Sequence, residues 1–168
     1  MIKKTLIALL IITFLYGIYK PFVVQFKNNE TLNSVNLKRG SIFKLKDFIQ
    51  LDKTKKSKVY LVLNGEELDD LNIAITKANV LKCEDENVIN ELLNSELNYT
   101  GADVSTIQSK IYIYSGNKLI FESEISLDKN SIGLQNRNLG WVTPSENKVF
   151  VNVFSQFNRY NLPLLIIW

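Results

Sequence analysis

The sequence predicts a mainly β protein, an antiparallel β-sandwich with one inserted helix, preceded by a separate apolar helix at the N-terminus. Seven or so short runs of alternating apolar and polar residues recur along the chain, separated by turn-forming residues. Only one segment beyond the N-terminus has clear helical periodicity, and the first 26 residues carry only three charges. The regular alternation of strands and helices that a nucleotide-binding parallel sheet requires is missing from the sequence.

The first 26 residues predict an uncleaved signal anchor. Two lysines precede an uncharged run from Thr5 to Tyr19, which is the pattern of an export signal. As a helix this run measures about 22 Å, short of a ~30 Å hydrocarbon core, although flanking lysines and tyrosines can reach the interface. No small-residue cleavage motif follows the run, and it has no polar face. A cleaved signal peptide and a buried helix of a soluble fold are the alternatives.

The predicted anchor fixes a compartment for the rest of the chain. The residues expected at the membrane are Lys3, Lys4, Leu6, Ile7, Leu9, Leu10, Ile11, Ile12, Phe14, Leu15, Tyr16, Tyr19 and Lys20. Because basic residues stay in the cytoplasm, we expect a single-pass protein of the cytoplasmic membrane, with its C-terminal domain on the periplasmic or extracellular side. Residues 27–36 are polar without periodicity and predict a tether, and residues 37–168 make the exported domain.

Strands account for most of the predicted domain. Residues 43–46 alternate between apolar residues and lysine, which predicts a half-buried strand. VYLVLNG (59–65) is apolar on both faces and predicts a central strand. KIYIYSGNKLIFESEIS (110–126) predicts a hairpin that turns through Gly116 and Asn117. VFVNVFS (149–155) and NLPLLIIW (161–168) are predicted to be the last two strands.

One helix is predicted in the domain. In EDENVINELLNSEL (84–97) the apolar side chains recur with helical spacing, and Asp85 stands at the position of an N-cap. An otherwise β-rich chain with one such helix is consistent with an immunoglobulin-like (Ig-like) sandwich that carries an insertion.

The composition makes several chemistries improbable. The chain contains no histidine and a single cysteine, Cys83, so the usual general base, the usual metal ligand and an internal disulfide are all missing. The net charge is +3 and only three of the 20 basic residues are arginine, which argues against a nucleic-acid partner. We expect no cofactor, no metal site and no catalytic residues.

Three weaker patterns have simpler explanations than a site. Ser41 and Lys44 match a serine–lysine pair, but in a strand residues three apart point to opposite faces. The acidic segment 66–70 lacks the spacing of a calcium loop and is expected to be a solvated turn. Glu122 and Glu124 share a strand face and are the candidates if the protein is a carboxylate-based hydrolase.

An aromatic surface is the candidate for binding a protein partner. Tyr112 and Tyr114 alternate with isoleucines, so the tyrosines line one face of their strand. Tyrosine, tryptophan and arginine are enriched at the centres of protein interfaces. The predicted partner-binding residues are Tyr112, Tyr114, Arg137, Trp141, Arg159 and Tyr160. The alternative is that these aromatic residues belong to the core.

The second half of the chain resembles a family. The order KIYIYSGNKLIFESEI, a glycine-containing loop and NKVFVNVFSQFNRYNLPLLII is similar to small exported bacterial sandwich domains without an assigned function, many of them lipoproteins. The resemblance covers roughly residues 85–167. It implies an exported β-sandwich and no activity. This chain lacks the acylated cysteine of those lipoproteins, a role that the N-terminal anchor would take over.

These patterns together predict a membrane-tethered, exported domain that binds a protein and does no catalysis. An immunity-type or inhibitor-type protein, which blocks a toxin or enzyme outside the cytoplasmic membrane, fits this description. An accessory subunit of a membrane or envelope complex fits it equally. The hypothesis from a different class is the carboxylate-based envelope hydrolase.

Overall fold

Residues 2–26, 38–101, 107–136 and 140–168 are described by a computed structural model of the chain. The helices are α1 (Ile2–Tyr19), α2 (Gly65–Asp69), α3 (Glu86–Asn94) and α4 (Asn147–Ser155). The strands are β1 (Phe22–Gln25), β2 (Ile42–Lys44), β3 (Ser57–Val62), β4 (Val80–Cys83), β5 (Glu96–Tyr99), β6 (Lys110–Ser115), β7 (Lys118–Leu127), β8 (Ile132–Asn136), β9 (Gly140–Pro144), β10 (Asn158–Arg159) and β11 (Leu164–Ile167). The predicted tether, residues 27–36, lies outside the described residues.

One large antiparallel sheet organises the domain. Its nine strands lie in the order β10-β4-β3-β6-β7-β8-β9-β5-β2, and every neighbouring pair is antiparallel. The prediction of a mainly β fold with antiparallel pairing is therefore confirmed. The strand with two apolar faces, β3, lies between β4 and β6, where both faces of the sheet are covered.

The β6–β7 hairpin has the turn that the sequence predicts. Ser115 pairs with Lys118, so Gly116 and Asn117 form a two-residue connection. Gly116 has φ of 62°, a backbone conformation that costs a side-chain-bearing residue energy. Glycine at the first central position suits the tight turns that match the twist of a hairpin.

Helices α3 and α4 cover one face of the large sheet. The N-terminus of α3 is capped by Asp85, whose Oδ1 accepts hydrogen bonds from the backbone N–H of Asn87 and Val88, as predicted. The buried side of the helix consists of Val88, Ile89, Leu92 and Leu93. These side chains join Leu61, Ile111 and others from the sheet in the main core.

Residues 147–155 are helix α4, so the prediction of a strand over 149–155 is wrong. Valine and phenylalanine favour β-strands, and valine recurs at every second position from Val149 to Val153, which predicts a strand. The spacing of Phe150, Val153, Phe154 and Phe157 is also that of a helix face, and all four are buried in the main core. Phe154 contacts both Phe150 and Phe157, at ring-centroid distances of 5.5 and 5.1 Å. Burial against the sheet overrides the local β preference here.

A two-stranded ribbon covers part of the opposite face. Strands β1 and β11 are parallel, with Phe22 opposite Leu164 and Val24 opposite Ile166. Leu165 and Ile167 are buried against the large sheet, with Val23 half-buried beside them. The first 26 residues are predicted to be an anchor alone, whereas the structure places residues 22–25 in the folded domain.

The layers of the fold differ from the predicted pair of facing sheets. On one side of the large sheet lie α3 and α4, and on the other side lies the β1–β11 ribbon, which we call the ribbon below. The Ig-like arrangement with a single inserted helix is therefore too simple, because a segment predicted as sheet is a helix in the core. Throughout residues 2–26, 38–101, 107–136 and 140–168, the fold contains no helix with both the length and the apolar character needed to cross a membrane.

Candidate functional site

The tyrosines predicted to form a binding face are buried. Tyr112 and Tyr114 on β6 are 2% and 4% exposed, and Tyr160 is 8% exposed. Together with Tyr60 on β3 they form a cluster, in which Tyr60 makes edge-to-face contacts with Tyr114 and Tyr160, each at 5.8 Å between ring centroids. This tyrosine cluster is a continuous aromatic face, but it is not available to a partner because the ribbon lies on it.

The tyrosine cluster binds the ribbon through its hydroxyl groups as well as its rings. The Tyr112 hydroxyl donates to Oε1 of Gln25 at 3.1 Å, and the Tyr160 hydroxyl donates to the Leu164 carbonyl at 2.9 Å. The Tyr114 hydroxyl accepts from the backbone N–H of Trp168 at 3.4 Å. The aromatic face predicted to recognise another protein therefore recognises two segments of its own chain.

Burial also perturbs the ionisation of the cluster. Desolvation raises the pKa of Tyr60, Tyr112, Tyr114 and Tyr160, and the neighbouring Glu122 carboxylate raises the pKa of Tyr112 further. The phenols consequently remain neutral hydrogen-bonding groups to a higher pH than exposed tyrosines do.

The other predicted partner-binding residues are not part of one surface. Trp141 on β9 is buried and packs over Gly133, where an added Cβ would lie 2.6 Å from the indole ring. Arg159 is exposed, but its Nη2 donates to the Tyr19 carbonyl at 2.6 Å and its guanidinium lies 5.0 Å from the Tyr19 ring centroid. Arg137 lies outside the described residues. The prediction of an exposed face at these residues is corrected: burial has removed four of the six from the surface.

A polar cluster seals one edge of the ribbon. The Gln25 side-chain amide donates to both carboxylate oxygens of Glu122, at 2.9 and 3.0 Å. Lys110 forms an ion pair with Glu122 at 2.7 Å, and Tyr112 binds the oxygen of the same Gln25 amide. Glu122 thus serves as an acceptor for its neighbours, which is a structural use of a residue considered for hydrolysis.

The ribbon presents apolar side chains to solvent on its outer side. Phe22, Val24 and Phe26 alternate outward along one strand and its end, and Leu164, Ile166 and Trp168 do so along the other. Each of these six side chains is between 42% and 62% exposed. Because paired positions face each other across the two strands, the six form one contiguous patch, which we call the outer ribbon face.

Helix α1 joins the ribbon at the start of both strands. A Cβ on Gly17 would lie 2.8 Å from Cβ of Pro163, so glycine allows the helix to approach β11 closely. The Tyr16 ring lies 6.3 Å from the Phe22 ring, between centroids, and Phe22 is the first residue of the outer ribbon face. Arg159 donates to the carbonyl of Tyr19, the last residue of the helix, at this junction. The apolar surface is therefore continuous from α1 to the ribbon.

Nearly all exposed large apolar side chains of the described residues belong to this surface. The predicted membrane residues on α1 that are large and apolar, from Leu6 to Tyr19, are each more than half exposed. Lys4 and Lys20 flank them and are exposed, while the side chain of Lys3 lies outside the described part. Elsewhere in that part, the exposed large apolar residues are Ile42, Ile73 and Leu162, and Leu162 lies just before β11. Such a concentration marks a surface that another molecule covers.

The weaker sequence patterns yield no site in the structure. Glu67 accepts hydrogen bonds from the Gln108 N–H and the Ser109 hydroxyl, and Asp69 and Asp70 pair with Lys77 and Lys129. Cys83 is buried, with a pKa raised by desolvation. Within the described segments no group of histidine, cysteine, aspartate or glutamate side chains is placed to hold a metal ion.

The outer ribbon face is the surface that the sequence analysis missed. Its two segments, FVVQF (22–26) and LLIIW (164–168), are nearly continuous apolar runs without a two-residue alternation. The first of these segments follows the apolar N-terminal run and was predicted to belong to the anchor. In both segments apolar residues occupy both faces, so the sequence does not say which set points outward.

Comparison with known proteins gives no relative from which to transfer a function. No family model, no curated protein and no solved structure matches the chain. The resemblance of residues 85–167 to exported sandwich domains therefore stays a prediction.

Proposed function

We propose that this chain is a membrane-tethered, exported domain that binds a protein partner at the outer face of the cytoplasmic membrane and performs no catalysis. The observation that carries the proposal is the unbroken apolar surface from α1 to the outer ribbon face. We also propose that the domain is related to the exported bacterial sandwich domains that residues 85–167 resemble in sequence.

Helix α1 is the proposed membrane anchor. Its large apolar side chains are exposed on every side, so no polar face is available to water. The helix is shorter than a typical bilayer core, and local thinning together with snorkelling of Lys4 and Lys20 would accommodate it. Tyr16 and Tyr19 lie at its domain end, where aromatic rings suit the lipid interface.

The outer ribbon face is the proposed binding surface for the partner. It combines three aromatic and three aliphatic side chains that are accessible outside α1. Aromatic side chains supply much of the binding energy at the centre of protein interfaces. Tethering keeps this face close to the membrane and so raises its effective concentration toward a partner located there.

Two biological roles remain within this proposal. An immunity-type or inhibitor-type protein would block an incoming toxin or enzyme, and it needs a binding face but no catalytic groups. The second candidate, an accessory subunit of a membrane complex, is favoured by the continuity of the apolar surface at the Tyr16–Phe22 contact. A resident partner with its own transmembrane helix could cover both α1 and the ribbon.

The anchor is tested by fractionation and intact mass. We expect the tagged chain to keep its full mass, to resist extraction from membranes at alkaline pH, and to be digested by protease added to spheroplasts. The Ile11→Lys variant places a charge in the middle of α1 and should be released from the membrane. A mass shortened by roughly the first twenty residues would show a cleaved signal peptide and overturn the anchor.

The binding face is tested by replacing outward side chains of the ribbon. We expect the Leu164→Ser/Ile166→Ser double variant to lose a partner that copurifies with the wild-type chain after gentle detergent extraction. The control is Ile42→Ser/Ile73→Ser, at side chains that are 64% and 102% exposed, so it removes more exposed apolar surface elsewhere than the ribbon variant does. A stoichiometric resident partner supports the accessory subunit, whereas equal retention by both double variants would exclude the ribbon as the binding face.

A further inference from the structure

A basic groove lies between the loop that joins β2 to β3 and the side of α3. Four lysines stand around it, Lys46, Lys53, Lys55 and Lys56, and all four are exposed. The groove has a volume of about 750 Å³, within the range of clefts that hold a ligand. Its floor is formed by Leu51, which is half-buried, together with Ile49 and Leu93.

The two carboxylates at the groove are already committed to the chain's own fold. Asp52 accepts hydrogen bonds from the Thr54 N–H and hydroxyl and pairs with Lys55 at 3.0 Å. These hydrogen bonds lower the pKa of Asp52 to about 2. Glu86 accepts from the Ser57 N–H at 2.9 Å. Both acidic side chains therefore shape the basic loop, and four lysines against these two carboxylates leave the lining of the groove with a net positive charge.

Among the described residues, only one of the four lysines, Lys55, has an acidic partner. Lys53 and Lys56 form no ion pair within the described residues, whereas Lys55 is paired with Asp52 and Lys46 donates to Oδ1 of Asn94 at 2.7 Å. Asn90 and Asn94 on α3 line the opposite wall with side-chain amides. The groove thus offers ammonium groups at its rim, amides along one wall and an apolar floor.

The groove faces a different end of the domain from α1. Its loop adjoins the β6–β7 turn, where the Gly116 N–H donates to the Lys56 carbonyl at 2.8 Å. Trp168, at the end of the ribbon, lies beside that turn, since Trp168 binds Tyr114 near the end of β6. Helix α1 meets the ribbon at the other end, at Phe22 and Pro163. The groove is therefore remote from α1, and it shares no lining residue with the outer ribbon face, although Lys55 and Trp168 line a common cavity at the turn.

We infer that this groove binds an acidic, extended peptide segment of a second protein. Carboxylate side chains complement the ammonium groups at the rim, and the exposed Asn90 amide can pair with a peptide backbone. The apolar floor favours a peptide over a phosphate polymer, because a polymer without apolar groups gains nothing from Leu51. The inference stands on different residues from the proposed membrane anchor and binding face, and it does not depend on either.

The test measures binding of an acidic peptide to the full chain kept in solution with a non-ionic detergent. The probe is a fluorescein-labelled peptide of repeated Glu-Glu-Leu triplets, followed by fluorescence anisotropy, and the matched peptide contains Gln in place of Glu. We expect the Gln peptide to bind about tenfold more weakly. Raising the salt concentration from about 50 to about 300 mM should weaken binding of the acidic peptide.

Matched lysine variants assign the binding to the groove. The Lys53→Gln/Lys56→Gln variant removes two lysines without ion pairs and should fold normally, while lowering affinity about tenfold. The Lys77→Gln/Lys129→Gln variant changes the net charge equally outside the groove and should change affinity less than about twofold. Equal losses in both variants would show non-specific charge attraction and overturn the inference.

A variant of the floor separates a peptide from a phosphate polymer. Leu51→Asn should weaken binding of the Glu-Glu-Leu peptide and leave competition by inorganic polyphosphate unchanged. Two results together would show a polyanion site and overturn the peptide assignment. They are displacement of the labelled peptide by polyphosphate at a lower concentration than by the unlabelled peptide, and an affinity for the peptide that Leu51→Asn leaves unchanged. Since these measurements use neither a native membrane nor the outer ribbon face, their failure leaves the proposed function standing.

Discussion

The two layers that cover the large sheet differ in what they leave exposed. Helices α3 and α4 bury Ile89, Leu92, Phe150 and Phe154 completely and turn polar residues such as Asn90 to solvent. The ribbon buries Leu165 and Ile167 in the same manner, but its outer side carries six large apolar or aromatic side chains. The helical layer thus presents polar side chains to solvent, whereas the ribbon is apolar on both sides, as a layer between the sheet and a second molecule would be.

The contrast extends to how each layer is held. The helical layer packs through aliphatic and phenylalanine side chains, which need no hydrogen-bond partners. The ribbon is held through tyrosine hydroxyls and the Gln25–Glu122 contact, which need specific partners at specific positions. We therefore expect the ribbon to be the layer that responds to local change, and the helical layer to respond only by unfolding of the whole domain.

The largest expected effect is in the helical layer. Phe154→Ala removes a fully buried ring that contacts two other phenylalanines, and it should lower the free energy of unfolding by about 3–5 kcal/mol. Urea denaturation followed by circular dichroism measures this change. Lys148→Ala on the exposed side of α4 is the control and should remain within about 0.5 kcal/mol of wild type. A small effect of Phe154→Ala would mean that α4 is not part of the cooperative core.

A smaller and local effect is expected for the inner side of the ribbon. Leu165→Ala leaves a cavity against the tyrosine cluster, with a cost of about 2–3 kcal/mol. Because β11 pairs with β1 alone, the loss should open the ribbon before the rest of the domain. Hydrogen exchange read by mass spectrometry should show faster exchange in residues 22–26 and 164–168, with α3 unchanged. Equal acceleration in α3 would contradict the distinction between the layers.

High pH should weaken the ribbon layer gradually. The folded state keeps protons on Tyr60, Tyr112, Tyr114 and Tyr160 that the unfolded chain releases near pH 10, since burial raises their pKa values. Their stabilising contribution is complete below about pH 10 and declines as the pH rises toward the higher folded-state pKa values. Urea midpoints measured between about pH 8 and 11 should fall at the upper end. Tyr112→Phe should make this decline shallower, and an unchanged decline would remove Tyr112 as a contributor.

The smallest effect on stability is expected at the outer ribbon face. Ile166→Ser changes a side chain that is 43% exposed, so the free energy of unfolding should move by no more than about 0.5 kcal/mol. The same variant should reduce non-specific self-association of the purified domain, because it interrupts the apolar patch. Denaturation and light scattering together measure both effects. A loss of several kcal/mol would show that the outer ribbon face is a structural surface, and the comparison between the layers would then fail.

Local patterns were sufficient for the elements whose signals are strong. The Asp85 cap with the apolar spacing of α3 and the Gly116–Asn117 hairpin each depend on a few neighbouring residues, and both occur as predicted. The central position of β3 also follows from its own two apolar faces. Segment 149–155 failed because its valines and phenylalanines satisfy a strand period and a helical period at once, and only packing decides between them.

The candidate site was less accessible to prediction from the sequence. The tyrosines of β6 are predicted either to bind a partner or to belong to the core, and the structure places them in the core, beneath residues 22–26 and 164–168 of the same chain. The pairing of β1 with β11 joins segments about 140 positions apart in the sequence. No local period encodes such a contact, because it depends on how the whole sheet is folded.

The sequence by itself determined the β-rich composition, the capped helix α3, the hairpin and the apolar character of α1, because each follows from the spacing of a few adjacent residues. Only the tertiary structure decided which apolar faces are buried. The tyrosine cluster became core because β1 and β11 meet over it, and the outer ribbon face became surface because nothing else in the described part of the chain covers it. Burial is a property of the assembled layers, so it cannot be assigned to a strand before its neighbours are known.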